Sequence, residues 1–239
     1  MNWNLGNNCL LESKNKINKK LFVLIEFFYK FIEKKHESHT TEILCEKFME
    51  SFDTIHELIS KDIQSAYDRD PSAYNKLEII LCFPGVEAII LHRIAHELHN
   101  LGIVILPRLI AKEVHMNTSI DIHPGAQIGT HFFIDHGIGV VIGETCIVGN
   151  NVTLYHGVTL GAKSFPKNDD NTLIRNIKRH PNIANNVTIY SNSTILGDIT
   201  IGTGSIIGAN VSITKDIQPN SRVYQQKYQQ ATFEHGMGI

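Results

Sequence analysis

No stretch of this chain is apolar for long enough to cross a bilayer. The most apolar early run, LFVLIEFFYKFI at 21–32, falls short of the roughly 20 residues a spanning helix needs, and it carries Glu26 and Lys30. The basic-then-apolar order of a secretory leader is also missing. A cytoplasmic protein with no membrane partner is therefore expected. Cysteine is scarce and scattered: Cys9, Cys45, Cys82 and Cys146 make no CxxC and no framework spacing, which excludes a disulfide scaffold and suits reduced thiols. Charge of one sign is missing too, since the net charge is -2, so no basic field recruits nucleic acid. Neither a P-loop nor a GxGxxG marks a phosphate site.

What remains is an ordinary globular composition, 42% apolar and 19% charged, in a chain long enough to bury a sizeable core. Residues 1–20 are rich in Asn and Lys and read as frayed. From about 21 to 66 apolar residues recur at helical spacing, Leu44, Phe48, Phe52, Ile55, Ile59 and Ile63 stepping by three or four. Pro71 in DRDPSAY stops that pattern, because the residue before a proline is pushed out of the helical region. GVEAIILHRIAHELHNLG (85–102) predicts a second amphipathic helix ending at Gly102, and a short helix over about 105–115 follows. The N-terminal half, 1–117, is thus expected to be α-helical.

After Ile120 the texture changes to isolated β-branched residues among Gly, Asn, Asp and Thr. Ile183, Ile189, Ile195, Ile201, Ile207 and Ile213 are each six residues apart. Ile122, Ile128 and Ile134 keep the same step, as do Ile142, Val148, Leu154 and Leu160. A period of six fits neither a helix nor a simple alternating strand. It fits a β-helix with three flat sides, each aiming one apolar side chain at the axis. The expected repeat domain covers 118–216, followed by a mobile tail at 217–239.

The step breaks twice. Ile134 to Ile142 is two residues too long, and the excess follows Asp135 and His136. A larger break places a polar loop, 161–181, outside the coil and ends at Arg179 and His180. Irregularities in a repetitive scaffold release side chains from core geometry, so sites gather there.

The stretches DIHPGAQIG, DHGIGVVIGET, VTLYHGVTLGA and KRHPNI resemble the signature run of bacterial serine O-acetyltransferases. The likeness extends upstream through DIQSAYDRDPSAY and HRIAHELHNLG, and returns at TFEHGMGI. It implies an α+β chain with a left-handed parallel β-helix of hexapeptide repeats. It also implies a homotrimer, with a hexamer of two trimers left open, acetyl-CoA as co-substrate with no permanently bound cofactor, and L-serine as acceptor. The tail ending in Ile239 is then expected to dock into O-acetylserine sulfhydrylase, the next enzyme of cysteine synthesis. After Asp216 the chain departs from the family, reading QPNSRVYQQKYQQ where a Gly-x-Pro-Ala-Arg-like turn is expected.

Acetylating an alcohol at neutral pH needs a general base, and a carboxylate on the base's other nitrogen steadies the imidazolium. By resemblance His136 and Asp121 form that dyad, with Glu144 helping to position the ring. An ammonium calls for carboxylates and a carboxylate for a guanidinium: Asp70 and Asp135 are the acidic candidates for serine, Arg179 and His180 the others. Gly161, Ala162, Ser191, Gly208 and Ala209 are expected along the CoA arm. No metal is expected. His131 with His136, spaced similarly to the histidines of gamma-type carbonic anhydrases, nevertheless keeps a metal lyase as an alternative, whereas His92 and His96, one helical turn apart, read as surface or interface residues. Sugar or homoserine acceptors are another, and a non-catalytic trimeric scaffold a third.

Overall fold

A computed structural model of the chain describes residues 3–31 and 38–225. Six helices come first: α1 (Trp3–Phe31), α2 (Ser38–Glu50), α3 (Phe52–Arg69), α4 (Lys76–Cys82), α5 (Pro84–Asn100) and α6 (Leu106–Thr118). Helix α1 starts at Trp3, within the segment whose composition reads as frayed. Further along it, Leu21 and Ile25 are buried against Cys45 and Phe48 of α2. Helix α4 went unread in the sequence although its start is capped on both sides. Asn75 Oδ1 accepts the Glu78 N–H at 2.9 Å, and Glu78 Oε2 accepts the Tyr74 N–H at 2.6 Å. Helix α5 ends as predicted. Gly102, at φ 75°, donates to His99 O, and Ile103 N–H donates to Leu98 O, the paired bonds of a Schellman close. Among the described residues no helix is long and apolar enough to cross a membrane.

The remainder is a parallel β-helix with three faces. Face one stacks β1 (Asp121–Ile122), β4 (Val141–Ile142), β7 (Thr159–Gly161), β10 (Thr194–Leu196) and β13 (Ser212–Ile213). Face two stacks β2 (Gln127–Ile128), β5 (Ile147–Val148), β8 (Asn182–Ile183) and β11 (Thr200–Ile201). Face three stacks β3 (Phe133–Asp135), β6 (Thr153–Tyr155), β9 (Thr188–Ile189), β12 (Ile206–Ile207) and β14 (Arg222–Val223). The residues six apart are the ones that fill the axis. Ile142 pairs with Ile122 and Leu160 with Ile142, and Ile183, Ile189, Ile195, Ile201, Ile207 and Ile213 are all buried. The coil does not stop at Asp216. Ile217 bridges to Ile201 and β14 pairs with β12, because Ile217 and Val223 still offer an apolar side chain to the core. Residues 226–239, which include the Ile239 tail, lie outside the described residues.

A buried ion pair ties the helices to the first turn of the coil. Arg93 of α5 donates to Asp62 of α3 through Nε at 3.0 Å, and to the carbonyls of Ile128 and Gly129. Asp62 in turn accepts the Phe132 N–H at 2.9 Å.

Candidate active site

Strand β3 ends in Asp135, and the two extra residues turn the chain outward just beyond it. His136 sits at φ 58° and Gly137 at φ 92°, where an added Cβ would lie 2.4 Å from Ile120 Cδ1. Beyond His136 the non-glycine residues with positive φ are all asparagines, the residue type that tolerates this region best, and His131 just before it, at φ 56°, is the other histidine there. Histidine at such a position is therefore conspicuous. Its side chain is 72% exposed, and Nε2 lies 3.7 Å from Asp135 Oδ1. The His156 ring, from the strand end directly over it, lies 5.9 Å away, and His156 Nδ1 is buried without a hydrogen-bond partner.

Asp70 reaches the same corner from the end of α3. Its neighbour Arg69 donates to Thr153 Oγ1 at 2.8 Å and to Asn151, which holds the helix end on β6. Asp70 Oδ1 accepts from Ser72 N and Oγ. Asp121, by contrast, does not pair with His136 within one chain. It opens β1 on the far side of the corner, taking the register of Val141, and its charge acts on His123 further along its own strand line. The carboxylate against the His136 ring is that of Asp135.

A second cluster occupies the next corner of the coil, between faces one and two. Glu144, expected to position His136, is instead ion-paired with Arg179. Burial opposes the Glu144 carboxylate, but the Arg179 hydrogen bond and charge prevail and hold its pKa below the usual value. Arg179 also donates to Ile177 O at 3.2 Å. His180 is buried, and its Nδ1 accepts the Thr145 N–H at 3.1 Å. Nδ1 is therefore unprotonated and Nε2 carries the hydrogen. Burial first, then the Arg179 and Lys178 charges, lowers the His180 pKa to about 4, so the ring is neutral near pH 7. Gly143 makes room for it: a Cβ there would fall 2.1 Å from His180 Cδ2. Thr145 organises the cluster, its hydroxyl oxygen accepting the N–H groups of Arg179 and His180.

The residues expected along the CoA arm divide between the same two corners. Gly161 ends β7 and Ala162 follows it at the Arg179 side, whereas Ser191, Gly208 and Ala209 lie in the line of the His136 corner. The Tyr224 ring covers Gly208, since an added Cβ would meet Tyr224 Cδ1 at 2.9 Å. Cys146 is fully buried and burial pushes its thiol up to about 12, which leaves no thiolate to act as a nucleophile. Of the histidine pairs, His131 Nδ1 turns to Thr130 Oγ1 at 3.0 Å, and His92 stacks on His96. Among the described residues no three of His, Cys, Asp and Glu gather as a metal's ligands would.

Sequence reasoning named Asp135, His136, Arg179 and His180 but missed Arg69, Thr145, His156 and Tyr155. The signal for the last two was the first turn's length. Asp135 pairs with Tyr155 twenty residues on, so YH lies over DH. An exposed imidazole beside a carboxylate can take a proton from an alcohol. A guanidinium and a neutral Nε2–H donor can hold a carboxylate.

Comparison with known proteins agrees with this chemistry. The family model "Serine acetyltransferase, N-terminal" matches residues 13–90, and "Bacterial transferase hexapeptide (six repeats)" matches 180–215. A plasmid-borne serine acetyltransferase of Synechococcus elongatus is 47% identical over 201 residues, 84% of this chain and 63% of its own length. The serine acetyltransferase of Bacillus subtilis is 45% identical over 166 residues, 70% of this chain and 72% of its own. Among solved structures, Entamoeba histolytica serine acetyltransferase 1 in complex with L-cysteine aligns with a TM-score of 0.80 at 37% identity. That alignment covers 88% of this chain and 75% of that one. With its helical half and its hexapeptide coil both matched, the chain belongs to the serine acetyltransferase family.

Proposed function

We propose that this chain transfers acetyl from acetyl-CoA to the hydroxyl of L-serine, with His136 as general base. The observation that carries the reading is the exposed His136 ring at the coil break, 3.7 Å from Asp135. The imidazole takes the hydroxyl proton as the serine oxygen attacks the thioester carbonyl. The C–S bond then breaks, and the imidazolium returns its proton to the departing thiolate, giving O-acetylserine and CoA. The attack is direct, in keeping with a Cys146 thiol that is buried and protonated.

Asp70 and Asp135 take the serine ammonium, and Arg179 with His180 takes the carboxylate. These pairs stand at different corners of one coil, so a threefold assembly, in which each corner meets the next chain's, completes the site. Asp121 serves as the orienting carboxylate once the exposed ring turns its free nitrogen toward β1. The CoA arm runs along the seam past Gly161, Ala162, Ser191, Gly208 and Ala209. Docking of the TFEHGMGI tail into the sulfhydrylase rests on its sequence alone, and competition by a tail peptide tests it.

Thiol release from acetyl-CoA, compared across L-serine, homoserine and simple sugars, tests the reading. Turnover is expected with L-serine above the others. Preference for a sugar, or no thiol release with any acceptor, contradicts it.

A further inference from the structure

We propose that Tyr155 is an acceptor-binding residue, its phenol oxygen taking one N–H of the substrate ammonium between Asp70 and Asp135; this rests on the amino-acid reading of the site above. An ammonium group offers three hydrogen-bond donors. Two carboxylates at this corner take two of them and leave a third.

Three observations place the phenol there. Tyr155 is the register partner of Asp135 in the parallel pair of β6 with β3, so both side chains leave the same outward face one strand apart. Arg69 fastens the end of α3 to Thr153, two residues before Tyr155 on that face, and so holds Asp70 over the same spot. The Tyr155 ring is stacked on Tyr190 with centroids 4.8 Å apart and planes 16° from parallel, which fixes the direction of its hydroxyl. Within the described residues that hydroxyl makes no hydrogen bond, which leaves both its proton and its lone pairs for a ligand.

The electrostatics agree with that placement. Burial raises the Tyr155 pKa first, followed by Tyr190 and by the negative charges of Asp135 and Asp70. The phenol therefore stays neutral, and its proton goes to one of the carboxylates while a lone pair faces the ammonium. The nearby cation, Arg69, is engaged by Thr153 and Asn151 and does not compete for the carboxylates.

The test is Tyr155→Phe, which keeps the stacked ring and removes only the oxygen. The Michaelis constant for L-serine should rise about tenfold, while kcat and the Michaelis constant for acetyl-CoA stay within about twofold. The inhibition constant of 3-hydroxypropanoate, which keeps serine's hydroxyl and carboxylate but lacks the ammonium, should not change. Tyr190→Phe, a control for the stack, should alter none of these values. A Tyr155→Phe effect of equal size on L-serine and on 3-hydroxypropanoate overturns the proposal, as does no effect on L-serine. Asp135→Asn measured alongside separates the two levels. If it too leaves the L-serine constant unchanged, the amino-acid site is wrongly placed. If it raises that constant and Tyr155→Phe does not, only the role of Tyr155 falls.

Discussion

Glu144 and Arg179, thirty-five residues apart in sequence, are ion-paired at the corner between the first two faces of the coil. The pair holds the guanidinium beside His180 before any substrate arrives. Its carboxylate is not available to His136, one corner away. On the proposed reading of the site, Glu144 then acts through Arg179 on acceptor binding.

Glu144→Gln tests that division. Losing the charged partner frees Arg179, and the Michaelis constant for L-serine should rise about tenfold with kcat within about threefold. Steady-state kinetics at saturating acetyl-CoA read both values. A fall confined to kcat would return Glu144 to the base.

The pair of Arg93 and Asp62 is buried on both sides, and Arg93→Met leaves a carboxylate in the interior with only the Phe132 N–H to satisfy it. Removing one partner of a buried pair typically costs about 3–5 kcal/mol. Chemical denaturation should show a loss of that order, and Asp62→Leu combined with Arg93→Met should restore part of it. A loss below about 1 kcal/mol would mean that the helices do not depend on this contact.

Acid should loosen the fold as its buried histidines take up protons. His123 and His180 titrate near pH 4 in the folded chain against an ordinary 6.5, burial being the first cause in each, and burial lowers His92 and His96 as well. Between these values the unfolded chain binds more protons than the folded one. Stability is therefore complete above pH 6.5 and is lost as pH falls toward 4. The melting temperature should drop steadily across that window, and His180→Gln should flatten part of the slope. A melting temperature constant from pH 7 to pH 4.5 contradicts the neutral rings.

The coil was legible because one physical demand, an apolar side chain at the axis, recurs every six residues and leaves a periodic trace. Ile183 through Ile213 show it without interruption, and all six are buried. The same logic exposed the break at His136. Contacts that depend on coil-to-coil register were harder to read, because they join residues 20 or 35 apart with no local pattern. Tyr155 over Asp135 and Glu144 against Arg179 are of this kind. Asp121 stands across the same corner from His136. A dyad implied by resemblance is not formed within one chain, where the ring turns to Asp135. Helix α4 left little trace although Asn75 caps it, because its 7 residues make too few turns to show a helical period.

The most direct measurement is acetyl transfer by His136→Ala, with Asp135→Asn and Asp121→Asn beside it. General-base catalysis contributes at least about a hundredfold, so kcat for L-serine should fall by that factor or more in His136→Ala, with acetyl-CoA affinity little changed. Asp121→Asn should lower kcat less but clearly, whereas Asp135→Asn should raise the Michaelis constant for L-serine. A His136→Ala enzyme that keeps the parent kcat and its pH profile would contradict the assignment of the base, and with it the account of this site.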